Sequence, residues 1–137
     1  MANPNGLNPR LQGVEFEPVL LLADDSESNT NSIPPLAKAV EVQGVVNDAN
    51  DFIVLPPLNS CPNLHSITVL GNASSNFEVR TPASSAEEIN SEDCDGTKEY
   101  LFTDTQIHTF TKINDTVGWM GEGRTAIGAY ATAVVPD

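Results

Sequence analysis

Apolar and polar positions first alternate along the chain at Val14 and Phe16, and Pro18 breaks the pattern before the apolar run Val19–Leu20–Leu21–Leu22. A proline cannot donate to a strand ladder, so the stretch predicts an edge strand or an extended segment lying on another surface. Ahead of it, Met1–Gly13 holds Pro4, Pro9 and several Asn with no period, the pattern of an irregular arm. Behind it, Asp24–Ser32 (DDSESNTNS) is acidic and polar with no apolar anchor, which reads as a linker. Pro34 and Pro35 stiffen the approach to Leu36, where the character of the chain changes. The pattern therefore predicts an extended N-terminal arm and linker over residues 1–35, and a β domain over residues 36–137.

Within that domain Val40, Val42 and Val46 sit at even spacing, and Gly44 among them marks a bulge or a close approach. Phe52–Leu55 is a short strand halted by Pro56 and Pro57. Ser66–Leu70 and Phe77–Arg80 flank a short Gly- and Asn-bearing loop, which predicts a hairpin. Thr81–Gly96 is a long polar excursion from which only Ile89 is expected to reach the core. Its Ser84–Glu88 start resembles the first turn of a helix, too short to continue. Lys98–Phe102, Gln106–Ile113 and Val117–Met120 supply three more strands, with Asn114–Asp115–Thr116 turning between the last two, and Ala126–Val135 is small, apolar and β-prone. Short strands punctuated by Gly, Pro and Asn predict an all-β fold, a small antiparallel β-sandwich or barrel of jelly-roll type.

The 137 residues leave room for one such domain. Six Lys and Arg stand against 19 Asp and Glu, a net charge of −13 at pH 7. A chain so poor in cations cannot replace the counterions on phosphates, which argues against nucleic acid, and against anionic membrane surfaces, as partners. Apolar runs such as Val19–Ala23 fall far short of the roughly 20 residues of a membrane helix. Met1–Arg10 lacks a basic stretch leading into an apolar one, so no secretory leader is expected. A reducing cytosolic origin is the corresponding expectation, and with it free thiols at Cys61 and Cys94.

Candidate chemistry is sparse. His65 follows a Cys–Pro–Asn–Leu loop, and His108 lies mid-strand, where a half-exposed position is expected. No Ser stands in a GxSxG elbow, and neither Cys belongs to a CxxC pair. Glu87, Glu88, Glu92, Asp93 and Asp95 could offer oxygens to Ca²⁺, but the EF-hand spacing is missing and a solvated acidic loop is the plainer reading. Trp119, the sole Trp, reads as an anchor for the core or a subunit interface. These residues predict no enzyme, no metal and no cofactor.

The order of features from Phe52 to Met120 carries a resemblance. A strand ends in Leu55–Pro56–Pro57, and a loop leads to Ile67–Thr68–Val69. A Gly/Asn turn precedes Phe77–Glu78–Val79, and Ile89–Asn90 come after a polar loop. Strands ending at Phe102 and running Ile107–Lys112 come before Asp115–Thr116–Val117–Gly118–Trp119. This resembles the small β modules of tailed-bacteriophage structural proteins: capsid decoration (cement) proteins, head fibres and related tail modules. The opening Met1–Ala2–Asn3–Pro4–Asn5–Gly6–Leu7 is similar to the starts of phage cement proteins. Ser91 departs from the Gly that often follows the Ile–Asn pair, and Cys61 and Asp93–Cys94–Asp95 are additions to the pattern. The resemblance implies a virion component, made in the host cytoplasm and placed on the capsid surface. It would associate with itself as a homotrimer and clamp the major capsid protein. The apolar strip at Val19, Leu20, Leu21 and Leu22, with Phe16 and Trp119, is then the expected contact. The alternative is a host-adhesion or carbohydrate-binding module of a phage fibre, contacting its target through the 81–96 and Trp119 loops.

Overall fold

The computed structural model describes residues 17–95, 99–124 and 130–131. They form β1 (Val19–Ala23), β2 (Ala39–Val45), β3 (Phe52–Val54), β4 (Ser66–Gly71), β5 (Phe77–Arg80), β6 (Glu88–Ile89), β7 (Glu92–Asp93), β8 (Tyr100–Phe102), β9 (Ile107–Asn114), β10 (Gly118–Arg124) and β11 (Tyr130–Ala131). One 3₁₀ turn, Leu58–Ser60, is the sole helical element among the described residues. The expected all-β class is correct, and the strands form two sheets. The long sheet runs β1-β2-β4-β9-β10-β6-β7 with β11 on β10, and the short one runs β3-β5-β8.

The N-terminal half is not antiparallel. The chain passes back and forth between the sheets, so strands on the same side repeat in the same direction. β1, β2 and β4 are parallel, with Val19 beside Val40 and Val40 beside Val69. On the other side Ser32 bridges Val54 in parallel, and Val54 pairs Arg80 in the β3–β5 ladder. The result is a short two-sided coil whose turns stack like rungs of a solenoid. β9 lies antiparallel on β4, and β8 antiparallel on β5, closing that end of the stack. The jelly-roll expectation, which required antiparallel neighbours throughout, does not describe this half.

The expected hairpin of Ser66–Leu70 with Phe77–Arg80 is also not formed, because β4 and β5 belong to different sheets. Residues 72–76 turn a corner. Asn72 N–H donates to Val42 O, and Asp104 Oδ1 accepts from Ala73 N–H, so the loop is tied to both neighbouring layers. Gly71 permits that corner: a Cβ there would lie 2.7 Å from the Phe102 ring.

Of the expected arm and linker, residues 17–35 are described, and three of their apolar side chains pack inward. Leu21, Ala23 and Ile33 belong to the buried core. Residues 24–32 are held by an amide instead of an apolar anchor. Asn31 is fully buried, and its Nδ2 donates to Phe52 O and Ser26 O at 3.0 Å each. Ser28 N–H donates to Asn31 Oδ1, and Ile33 N–H donates to Val54 O. A search for hydrophobic residues overlooks such a segment, because hydrogen bonding satisfies its backbone. Residues 1–16, Phe16 included, lie outside the described residues.

The core fills the space between the sheets. Phe77 and Phe102 stack at 4.6 Å, and Tyr100 meets Phe110 edge-on at 4.8 Å. β4 alternates strictly, with Ile67, Val69 and Gly71 inside and Ser66, Thr68 and Leu70 outside. The irregularity expected at Gly44 is present, since the β1–β2 register shifts where Leu22 meets Gly44. The Ser84–Glu88 turn does not become helix. Besides Ile89, Cys94 also reaches the core from the 81–96 segment.

Candidate functional site

Strand alternation splits the apolar run of β1 between two environments. Leu21 is 4 % exposed and faces the core, while Leu20 (56 %) and Leu22 (44 %) face outward and Val19 is half-buried. The same outer face carries Leu70 beside Ile107 on β4 and β9, and Met120 on β10, all exposed. Between these apolar positions stand hydroxyls. Thr68 pairs with Thr109, and the Ser66 and Thr111 side chains hydrogen-bond at 2.8 Å. Glu41 and Glu122 are carboxylates on that face, and Glu41 Oε2 accepts from Asn72 Nδ2. The outer face thus mixes exposed apolar side chains with hydroxyls and carboxylates. The predicted contact set therefore divides: Leu20 and Leu22 are available, and Leu21 is not.

Trp119 is 1 % exposed and lies opposite Ile89 in one ladder and Lys112 in the other. It is a core side chain, so its indole offers no platform to a ligand. Its Nε1 is buried without a hydrogen-bond partner among the described residues. Lys112 is buried on the same side of β9, and its ammonium is satisfied. Nζ donates to Leu58 O at 2.6 Å and Cys61 O at 2.7 Å, and pairs with Asp115 Oδ1 at 2.5 Å. The lysine thereby pins the 3₁₀ turn onto the sheet. Beside it opens a cleft of about 330 Å³, lined among others by Asn59, Ser85, Glu87, Glu88, Asp115 and Thr116. Both Glu87 carboxylate oxygens accept from Leu58 N–H, and burial pushes this carboxyl above its ordinary value.

His108 is enclosed instead of half-exposed. The Tyr100 hydroxyl hydrogen-bonds Nδ1 at 2.5 Å, and Nε2 lies 2.7 Å from Gln106 Oε1. Gly123 opposes it in the β9–β10 ladder, where a Cβ would collide with the imidazole. Burial lowers the His108 pKa to about 4 and holds the Tyr100 hydroxyl well above its ordinary value. The signal was present in Ile107–Lys112: the alternation that buries Phe110 also buries His108 and Lys112. Residue type pointed the other way, since Lys ordinarily stands outside and His is only intermediate in burial. His65 is buried too, and its Nε2 donates to Ala37 O at 2.9 Å.

Neither thiol is placed for nucleophilic work. Cys61 and Cys94 are free and buried, and desolvation pushes Cys94 up to about 11, keeping it protonated at neutral pH. Among the described residues, no group of three or more His, Cys, Asp or Glu side chains is arranged to hold a metal ion. No described helix is long and apolar enough to cross a membrane. On the short sheet, Arg80 lies 4.2 Å above the Phe52 ring and pairs with buried Glu78 at 2.5 Å. Burial, reinforced by Glu99, raises Glu78 to about 7. No protein-family model matches the chain, and no curated protein matches it in sequence.

Proposed function

We propose that this protein is a non-catalytic coat component of a virion, a decoration protein that attaches to the major capsid protein and stabilises the shell. One observation carries the reading: a sheet face that exposes Leu20, Leu22, Leu70, Ile107 and Met120 on a chain of net charge −13. Apolar side chains set among carboxylates are suited to one specific partner, while the charge keeps free copies apart in solution. The polar groups buried in the body support a scaffolding role. The His108 and Lys112 side chains spend their hydrogen bonds on Tyr100, Gln106, Leu58, Cys61 and Asp115 and have none left for a substrate. Self-association as a trimer belongs to the same proposal. It would multiply weak individual contacts through effective concentration.

The deciding measurement is the copy number of this chain relative to the major capsid protein in purified particles. A stoichiometry near one chain per few capsid subunits fits a coat, whereas a handful of copies per particle overturns it. A second reading, an adhesion module, is favoured by the polar cleft at Asn59, Ser85, Glu87, Asp115 and Thr116, whose volume lies within the usual range of small-ligand sites. Low copy number together with saccharide binding abolished by Glu87→Gln would select it.

A further inference from the structure

The edge of β1 has a specific hydrogen-bonding pattern. β1 ends the long sheet on its side among the described residues. Its Leu22 N–H turns away from β2 and donates to Thr30 O, in the chain's own following loop, at 3.0 Å. Backbone groups alternate in direction along a strand, so Leu20 N–H and C=O also point away from β2. Thr30 covers the far end of this edge, and Pro18, which has no N–H, stands at its near end. Among the described residues, what remains is a short opening centred on Leu20, with the Leu20 and Leu22 side chains 56 % and 44 % exposed beside it.

The charges around this opening indicate what fits it. Glu17 precedes the strand, Asp24, Asp25 and Glu27 come after it, and Glu41 lies beside Leu20 in the ladder. Two of these are engaged locally: Glu27 Oε1 accepts from Ala83 N–H, and Glu41 Oε2 from Asn72 Nδ2. Lys38, just before β2, is the cation set against them at the Glu17 end. A second copy pairing strand to strand would bring an identical acidic set to the same place. Like charges within a Debye length of about 8–10 Å repel at physiological salt.

We propose that the β1 edge receives a short extended segment of a different protein, an apolar pair flanked by Lys or Arg, which adds as a strand beside Leu20. This rests on the coat reading and names the chemistry of the partner surface. The main-chain contribution is limited to the bonds at Leu20, so selectivity comes from the Leu20 and Leu22 side chains and the surrounding carboxylates. Self-association, where it occurs, uses other surfaces.

The test uses the full chain and two blocked synthetic peptides. Both have the same alternating Val and Thr centre, one with Lys-Lys at each end and the other with Glu-Glu. Binding is followed by NMR of the Leu20 amide and by calorimetry. The Lys-flanked peptide should slow Leu20 amide exchange and bind at least about tenfold more tightly than the Glu-flanked one. Its affinity should fall as salt is added. Leu20→Pro, which removes the outward N–H, and Leu20→Glu, which keeps it, should each weaken binding by a similar factor while the chain stays folded. Equal affinity for the two peptides, absence of binding, or dimerisation of the chain alone that Leu20→Glu abolishes would each overturn the inference. Peptide binding needs no particle, so its failure strikes this inference alone. A low copy number on particles strikes the coat reading and leaves the edge chemistry standing.

Discussion

The Tyr100 hydroxyl donates its hydrogen to Nδ1 of His108 across 2.5 Å, and that direction is set from the opposite side of the ring. Gln106 Oε1 can only accept, so Nε2 carries the imidazole proton and Nδ1 is left as an acceptor. Protonating His108 would face the Tyr100 O–H with a second donor. Among the described residues, Phe102, Phe110, Gly121 and Gly123 pack against the pair, and none of them can accept a hydrogen bond through its side chain, while Glu122 lies near enough to disfavour the tyrosinate.

The folded protein therefore holds His108 neutral, with its pKa lowered from 6.5 to about 4. Within that window the unfolded chain binds the proton and the folded one does not, so stability rises with pH there. His108 thus contributes stability in full above pH 6.5 and loses it progressively as pH falls towards 4. Urea midpoints followed across this range should drop in the parent protein, and the drop should be smaller in His108→Gln. Equal slopes in both would show that His108 does not titrate on unfolding.

Glu78 has the opposite sign. Its folded pKa is raised from 4.5 to about 7, so between those values the native state holds a proton that the unfolded chain releases. Its contribution is present below 4.5 and is lost as pH rises through 7. Glu78→Gln keeps a neutral side chain beside Arg80 and should hold its melting temperature better than the parent does on going from pH 5 to 7. A variant that falls faster over the same interval would mean that the Arg80 pair outweighs burial.

Trp119→Ala should cost about 3–5 kcal/mol, as for other large-to-small changes in a closed core. Trp119→Phe should recover part of this, because the N–H that it removes has no partner to lose among the described residues. Chemical denaturation of both variants separates the two terms, and a near-neutral Trp119→Ala would contradict the burial of the indole.

Lys112→Met leaves Leu58 O and Cys61 O without their shared donor, at about 1–3 kcal/mol for each acceptor that water does not reach. Asp115 is mostly exposed and adds little. Because the lysine fastens the turn that carries Cys61, the rate of Cys61 labelling by a thiol reagent should rise in this variant while Cys94 stays slow. Unchanged labelling would show that the turn is held by other contacts.

Strand positions were legible because alternation along one strand is a local property. β2, β3, β4 and β9 fall close to where Val40, Val42 and Val46, Phe52–Leu55, Ser66–Leu70 and Gln106–Ile113 predict them. Pro18 correctly marked an edge, since β1 ends its sheet among the described residues. Which strands become neighbours is not local. The sequence between Leu70 and Phe77 looks the same whether the chain reverses within a sheet or crosses to another. Here the corner is decided by Gly71 beneath Phe102 and by Asp104, far along the chain. Asn31 was missed for a related reason, its partner being the carbonyl of Phe52. Of the exposed apolar positions on the outer face, Leu20 and Leu22 were named in advance. Leu70, Ile107 and Met120 were not, because only the assembled sheet brings them onto one face.

The stacked turns of the N-terminal half also set an order of opening. Each rung is held along its length by its neighbours, and among the described residues β1 has a single one in its sheet, β2. β4 is clasped between β2 on one side and β9 on the other. Loosening should therefore start at the β1 rung and proceed inward, with β4 and β9 the last to exchange their amide protons. A terminal rung that peels reversibly while the rest stays closed can take up or release a neighbour without unfolding the body.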